Sequence, residues 1–376
     1  MTKETILVVE DSKVFSRILS ASIKVSTNFD VMIVESYADL VELLENKQQI
    51  FFACLLDLNL PDAPNGEVVD YVLSQNIPAI VFTATFDDNL RDNLLSKGIV
   101  DYVVKESPAN VEYIISLIKQ LKRNATIKAL VVDDSKTARN YITKLLSIYR
   151  FVVFEAENGK QGLDIINHHK DIRLIITDFN MPKMDGIEFT QHIRQLYNKK
   201  EVAIIGVSSY GNNMLSARFL KIGGSDFINK PFLEEEFFCR VNQNMELLDH
   251  IKDLEYIAVR DYLTGLYNRR HFFNIGEKLF NRSYRSKKDI TVALMDIDHF
   301  KSVNDNYGHD VGDIVLQKVA EILTENFRAG DLVARLGGEE FCFLLLGVEQ
   351  KDVLTIFEKI RLKIAESPIL LFDKTA

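Results

Sequence analysis

Acidic side chains gathered at the ends of apolar runs are the chemistry this sequence offers. Thr291-Val292-Ala293-Leu294-Met295 reads as a buried strand. It runs into Asp296-Ile297-Asp298-His299-Phe300-Lys301, then Asn304-Asp305 and Gly308-His309-Asp310-Val311-Gly312-Asp313. Carboxylates just past a strand end are a common way to hold Mg²⁺ beside a phosphate. Further on, Leu336-Gly337-Gly338-Glu339-Glu340-Phe341 separates Leu332-Val333-Ala334 from Cys342-Phe343-Leu344-Leu345-Leu346. Two β-prone runs joined by Gly-Gly predict a hairpin, because glycine takes positive φ at no steric cost. Bare Gly337 and Gly338 let a large ligand approach the backbone. Glu339 and Glu340 repel each other at the tip unless a cation lies beside them. The arrangement suits a metal–triphosphate.

A different set of polar residues occurs twice. Ile6-Leu7-Val8-Val9-Glu10-Asp11-Ser12-Lys13 recurs as Ala129-Leu130-Val131-Val132-Asp133-Asp134-Ser135-Lys136, and the run ending in Asp57 recurs as the run ending in Asp178. Val81-Phe82-Thr83 matches Gly206-Val207-Ser208, and Asp101-Tyr102-Val103-Val104-Lys105 matches Asp226-Phe227-Ile228-Asn229-Lys230. Glu10, Asp11 and Asp57 make a three-carboxylate Mg²⁺ site, as do Asp133, Asp134 and Asp178. One carboxylate of each set can attack a phosphoryl group and become an aspartyl phosphate. Thr83 or Ser208 offers a hydroxyl, and Lys105 or Lys230 an ammonium, to the transferred oxygens. Taken singly, each acid is an ordinary strand-end turn residue. The same positions repeated in order are not explained that way.

The elements that must position these groups follow from the apolar pattern. The repeat offsets are 123, 121, 125 and 125 residues, so one unit of ordinary domain size is present twice. Within each unit, continuous Val/Ile/Leu runs alternate with helical stretches. This predicts an α/β fold, a doubly wound parallel sheet with helices on both faces. Right-handed crossovers then bring every strand's C-terminal end, and the quoted polar residues, to one edge.

Both units resemble response-regulator receiver domains, with flavodoxin-like topology. The resemblance implies that Asp57 and Asp178 are phosphoacceptors and that Tyr102 and Phe227 are the aromatic switch positions. The second unit carries Met181-Pro182-Lys183-Met184-Asp185-Gly186 and Lys230-Pro231. The first departs from the pattern, with Glu106 after Lys105 and a longer loop, Pro61-Asp62-Ala63-Pro64-Asn65-Gly66. Neither departure removes a chemical group.

The third region resembles the GGDEF family of diguanylate cyclases through Asp261 to Arg270, Asp296 to Asp313 and Arg335 to Phe341. The resemblance implies an α+β, palm-like (ferredoxin- or nucleotide-cyclase-like) domain. In it Asp296, the Ile297 carbonyl and one or both of Glu339 and Glu340 bind metal, Glu340 the firmer ligand, and Lys301 neutralises phosphate charge. Asn304 and Asp313 read guanine, and Glu339 activates a ribose hydroxyl. Asn268 is placed to cap the helix that Arg269 begins, and His299 is expected to pack. Arg328-Ala329-Gly330-Asp331 stands at the spacing of the family's product-inhibition site, with Arg328 and Asp331 as its two recognising residues. Family members continue past Ala376, so the resemblance covers about the first two-thirds of the cyclase domain.

These readings divide the chain into receivers at 4–122 and 127–244, a linker helix at 245–260 and the cyclase domain at 261–376. Lys119 to Thr126 is a short polar linker, and Leu247, Ile251, Leu254 and Ala258 trace a brief heptad seam that fits a two-chain stalk and an amphipathic helix packed on its neighbours equally well. A net charge of −9 argues against nucleic acid or an anionic membrane as partner. The apolar runs fall short of a membrane span or a signal peptide. The 3 cysteines, widely spaced in apolar surroundings, read as reduced and buried. Together these predict a cytoplasmic protein. The reading implied is a phosphorylation-regulated diguanylate cyclase using Mg²⁺. It would join two GTP into cyclic di-GMP and pyrophosphate as a homodimer, with a sensor histidine kinase or phosphotransfer protein as its donor and cyclic di-GMP as its inhibitor. The alternatives are a catalytically lapsed GTP or cyclic di-GMP sensor, and a phosphoryl-accepting interaction protein.

Overall fold

Unbroken apolar strands can be buried on both faces only inside a sheet covered on both sides. The computed structural model describes residues 4–46, 49–84, 87–105, 108–209, 213–328 and 330–368; Glu106, Ala329 and the segment reaching Ala376 lie outside them. The chain divides into two units, Met1–Leu248 and Asp249–Ala376.

The first unit holds both repeats. The first repeat runs β1 (Thr5–Val9), α1 (Lys13–Ser26), β2 (Asp30–Val34), α2 (Tyr37–Glu45), β3 (Phe51–Leu56), α3 (Glu67–Ser74), β4 (Ala79–Thr83), α4 (Asp88–Lys97), β5 (Asp101–Val104) and α5 (Pro108–Asn124). Its sheet is parallel in the order β2-β1-β3-β4-β5. The second runs β6 (Lys128–Val132), α6 (Lys136–Ile148), β7 (Val152–Ala156), α7 (Gly159–His168), β8 (Ile172–Asp178), α8 (Gly186–Leu196), β9 (Ala203–Ser208), α9 (Asn213–Lys221), β10 (Asp226–Asn229) and α10 (Glu234–Val259). Its parallel order, β10-β9-β8-β6-β7, is the same topology. The pattern of burial explains the order. Central β1 and β3 are buried at every residue, whereas edge strands β2 and β7 are partly exposed.

One hydrophobic core runs through both repeats. Ile114, Leu117, Ile118 and Leu121 of α5 belong to the same buried cluster as Ile142, Leu145 and Leu146 of α6 and Phe237, Phe238 and Val241 of α10. The Tyr149 ring stacks on Phe238 with centroids 3.6 Å apart, and its hydroxyl donates to the Val100 carbonyl at 2.9 Å. Arg150 lies 4.4 Å over the Phe52 ring while donating to the Phe52 carbonyl at 2.9 Å. Arg91 of α4 pairs with Glu235 of α10. The polar linker expected at Lys119 to Thr126 is mostly the last turns of α5. Residues 245–259, expected as a linker helix, are helical as the last part of α10.

The second unit contains β11 (Tyr267–Asn268), α11 (Arg269–Ser286), β12 (Ile290–Asp296), α12 (Phe300–Tyr307), α13 (His309–Asn326), β13 (Leu332–Gly337), β14 (Glu340–Leu346) and α14 (Gln350–Glu366). Its mixed sheet has the order β11-β13-β14-β12, with β14 antiparallel to both neighbours. One face packs Val333, Phe341, Phe343 and Leu345 on α13 and α14, and the other packs Ala334, Cys342 and Leu344 on Phe272 of α11. Asn268 caps α11, accepting from the His271 N–H at 2.9 Å, as its place before Arg269 implies. Cys54 and Cys342 are buried, but Cys239 is exposed on α10, contrary to its apolar neighbours in sequence. Among the described residues no helix is long and apolar enough to cross a membrane.

Candidate functional site

Each receiver sheet gathers its polar residues at the C-terminal ends of its strands. In the first, the Lys105 ammonium lies 2.5 Å from the Glu10 carboxylate and 2.6 Å from that of Asp57. The Ser12 and Asn59 N–H groups donate to the same two carboxylates at 3.2 Å each. Oxygens of Glu10, Asp11 and Asp57 lie within 4.8 Å of one another, a donor set of hard oxygens that fits a divalent cation. Thr83 is fully buried, and its hydroxyl has no hydrogen-bond partner among the described residues. An orphaned hydroxyl facing this edge can accept or donate to a transferred phosphoryl oxygen. Burial pushes the Glu10 carboxyl up, against the opposing pull of Lys105. A cation entering the site therefore competes with a proton, and its binding weakens toward acid pH.

The second receiver repeats this with one difference. Lys230 bridges Asp133 at 2.7 Å and Asp178 at 2.9 Å, and the Ser135 and Asn180 N–H groups donate to them at 2.9 Å each. Burial raises the Asp178 carboxyl, while Lys230 pulls it down. Asp134 does not close a three-carboxylate cluster with Asp133 and Asp178 as Asp11 does; among the described residues that cluster exists only in the first receiver. The first receiver has Glu10 where the second has Asp133. Ser208 is buried at the end of β9. Of the two switch positions, Tyr102 is buried in the first receiver's core, and Phe227 packs on Phe219 and Phe179.

In the second unit, Asp296 and Glu340 are directly opposed across β12 and β14. Opposed residues of an antiparallel pair project to the same face, with Cβ atoms about 4.5–5.5 Å apart. Both are exposed, and Glu339 is half-buried at the hairpin tip. Gly337 and Gly338 have φ of 150° and 53°, and a bulge between Arg335 and Gly337 re-aims the tip. The Ile297 carbonyl accepts from the Phe300 N–H at 3.3 Å and keeps a second lone pair. Lys301 stands exposed in the first turn of α12; Asn304 is half-buried on α12 and Asp313 exposed on α13. Arg328 is exposed and its Nε lies 3.5 Å from Asp331, whose carboxylate also accepts from the Arg328 N–H at 3.3 Å. His299 does not pack as expected. It is exposed with φ of 59°, and its backbone turns the chain from β12 into α12.

Sequence reasoning gave Arg335 no role. Its Nε–H donates to the Gly338 carbonyl at 2.9 Å and its NH1 to Asp261 at 3.1 Å, tying the hairpin tip to the loop before β11. Asp261 also accepts from the Thr264 N–H and hydroxyl at 3.0 and 2.7 Å. Burial raises the Asp261 carboxyl, but the bonds from Thr264 and Arg335 outweigh it and hold it below the usual range. The only sequence signal was an arginine ahead of Gly-Gly together with an unpaired aspartate far upstream. Arg335→Ala should destabilise the second unit by about 2–3 kcal/mol. A carboxyl held low stabilises the fold above its unfolded value and ceases to as pH falls through the folded one. The deficit should therefore be full at neutral pH and shrink in strong acid, as read by denaturant unfolding at several pH values.

Comparison with known proteins agrees with this architecture. The response regulator receiver domain family matches residues 6–118 and 129–242, and the diguanylate cyclase GGDEF domain family matches residues 258–375. The chain belongs to the response-regulator receiver family, and its two receivers are followed by a GGDEF domain. It is similar along most of its length to Response regulator PleD of Caulobacter vibrioides, at 27% identity over 96% of this chain and 87% of the relative. The crystal structure of a putative two-component system response regulator/GGDEF domain protein matches at 36% identity with a TM-score of 0.59, covering 66% of this chain and 100% of the other. Over the GGDEF region the Probable diguanylate cyclase DgcT of Escherichia coli is 45% identical, covering 28% of this chain and 23% of that protein.

Proposed function

We propose that the protein is a phosphorylation-regulated diguanylate cyclase. The observation that carries this is Asp296 opposed to Glu340 beside the bare Gly337-Gly338 tip, the pairing a metal-bound triphosphate requires. Asp296, Glu340 and the Ile297 carbonyl would hold Mg²⁺, which when bound supplies charge neutralisation at the phosphates. Lys301, exposed in the first turn of α12, would add positive charge for the phosphates. Asn304 and Asp313 receive the guanine edge, amide and carboxylate matching its acceptor and N–H groups. Glu339 takes the proton of the attacking 3′-hydroxyl. The new bond joins that oxygen to the α-phosphorus of a second GTP, the α–β bridging bond breaks, and pyrophosphate leaves. Repetition in the opposite sense closes cyclic di-GMP.

Each site grips one GTP, so two chains must face each other. Phosphoryl transfer to Asp57 or Asp178 from a partner kinase would set how often they do. Arg328 and Asp331 would bind the product's guanine and slow the enzyme. The test is to incubate the full chain with GTP and Mg²⁺, with and without a phosphoryl donor, and assay cyclic di-GMP and pyrophosphate. Turnover that rises with the donor and falls per chain on dilution is expected. GTP binding without product would refute the reading.

A further inference from the structure

We infer that Gly312 is a positioning residue for Asn304, its bare Cα forming the seat that aims the Asn304 amide. This rests on the reading of Asn304 as part of the guanine site and adds what holds it there. Asn304 sits in the second turn of α12, and Gly312 in the first turn of α13. The two helices meet at Gly308, whose φ of 85° turns the chain between them. The Gly308 N–H donates to the Asn304 carbonyl at 2.9 Å, and the Gly312 N–H to the Gly308 carbonyl at 3.2 Å. These bonds close the corner and press the Asn304 side chain onto Gly312. A Cβ built at Gly312 would collide with the Asn304 side-chain oxygen, and would lie 3.1 Å from Asn304 Cγ and 3.3 Å from the Phe300 ring.

Phe300 has no room to give, so a methyl at Gly312 must turn the Asn304 amide aside. Phe300 is buried in the core beneath α13, and Asn304 is itself half-buried. No hydrogen bond holds the Asn304 side chain among the described residues, and the bare Cα of Gly312 is where its amide lies. The backbone of Gly312 is helical, which removes the other common reason for a glycine. Its φ is not among the positive ones, and alanine there would ordinarily favour the helix. A glycine that costs helix propensity and is filled by a neighbour's amide is explained by that amide. Asp313, the next residue, carries the second guanine-facing group, so the seat also fixes the spacing between the two.

The test is a double-mutant cycle on the full chain with Gly312→Ala, Asn304→Ala and both. The readouts are binding of a non-reacting GTP analogue with Mg²⁺, binding of the matching ATP analogue, and thermal unfolding. Gly312→Ala should weaken GTP-analogue binding by about 100-fold, the scale of an ångström-sized misplacement. It should also erode the preference for guanine over adenine, which a general loss of fold would not do. In the Asn304→Ala background the same change should cost little further binding and should no longer lower the unfolding temperature. Full additivity of the two losses, or a Gly312→Ala protein that binds and discriminates normally, would overturn the inference. If Asn304→Ala leaves guanine binding intact while the thermal coupling to Gly312 persists, the guanine assignment fails and the steric seat stands.

Discussion

Glu340→Gln should reduce cyclic di-GMP formation by about 10³-fold, the scale seen when one preorganised charge-stabilising group is removed from an active site. Glutamine preserves the length of the side chain and its place at the start of β14, so the hairpin keeps its shape. What it removes is one of the two carboxylates that face each other across the strands, and with it half the negative charge available to a cation. Like charges directly opposed on paired strands are unfavourable in the absence of a cation. The variant should therefore fold as well as the parent or slightly better, with unfolding free energy within about 0.5 kcal/mol. Loss of product with unchanged or improved thermal stability, measured on one preparation, is the expected pair of results. Retained turnover would remove Glu340 from the metal site.

The second large effect concerns the receivers. Phe238→Ala should destabilise the first unit by about 3–5 kcal/mol, the range for deleting a buried phenylalanine. The ring is buried, stacks on Tyr149 and belongs to the cluster that runs from α5 through α6 to α10. Because residues of both repeats line that cluster, the loss should be felt by both sheets. Denaturant unfolding should show one transition for the first unit, shifted as a whole. Two resolved transitions, with only the second receiver weakened, would mean that the repeats hold separate cores.

Much of this was legible in the sequence for identifiable reasons. The central strands announce themselves as unbroken apolar runs, and their duplication gives two parallel sheets of one topology. Asn268 sits immediately before a helical stretch and caps it. The opposition of Asp296 and Glu340 pairs a strand that ends in aspartate with the hairpin strand that begins in glutamate. What was not legible is what a face packs against. The spacing of Ile114, Leu117, Ile118 and Leu121 shows that α5 has an apolar face, but not that residues of the other receiver share in covering it. The Arg335–Asp261 pair joins residues 74 apart, beyond the reach of any local pattern. The difference between Asp11 and Asp134 lies in side-chain placement, which the shared Asp-Ser-Lys pattern does not record. The turn at His299 depends on backbone conformation that a side-chain pattern does not record.

The common interior of the two repeats bears on how such a chain can change over generations. Duplicated units that stand apart are free to drift, and one can decay without harm to its twin. Here a substitution in Tyr149 or Leu121 alters the foundation of both copies, so even a receiver that had lost its phosphoryl chemistry would stay under selection as a building part. Loss of signalling and loss of shape are thereby uncoupled. The duplicate would be expected to keep its apolar faces long after its acidic pocket had been edited away.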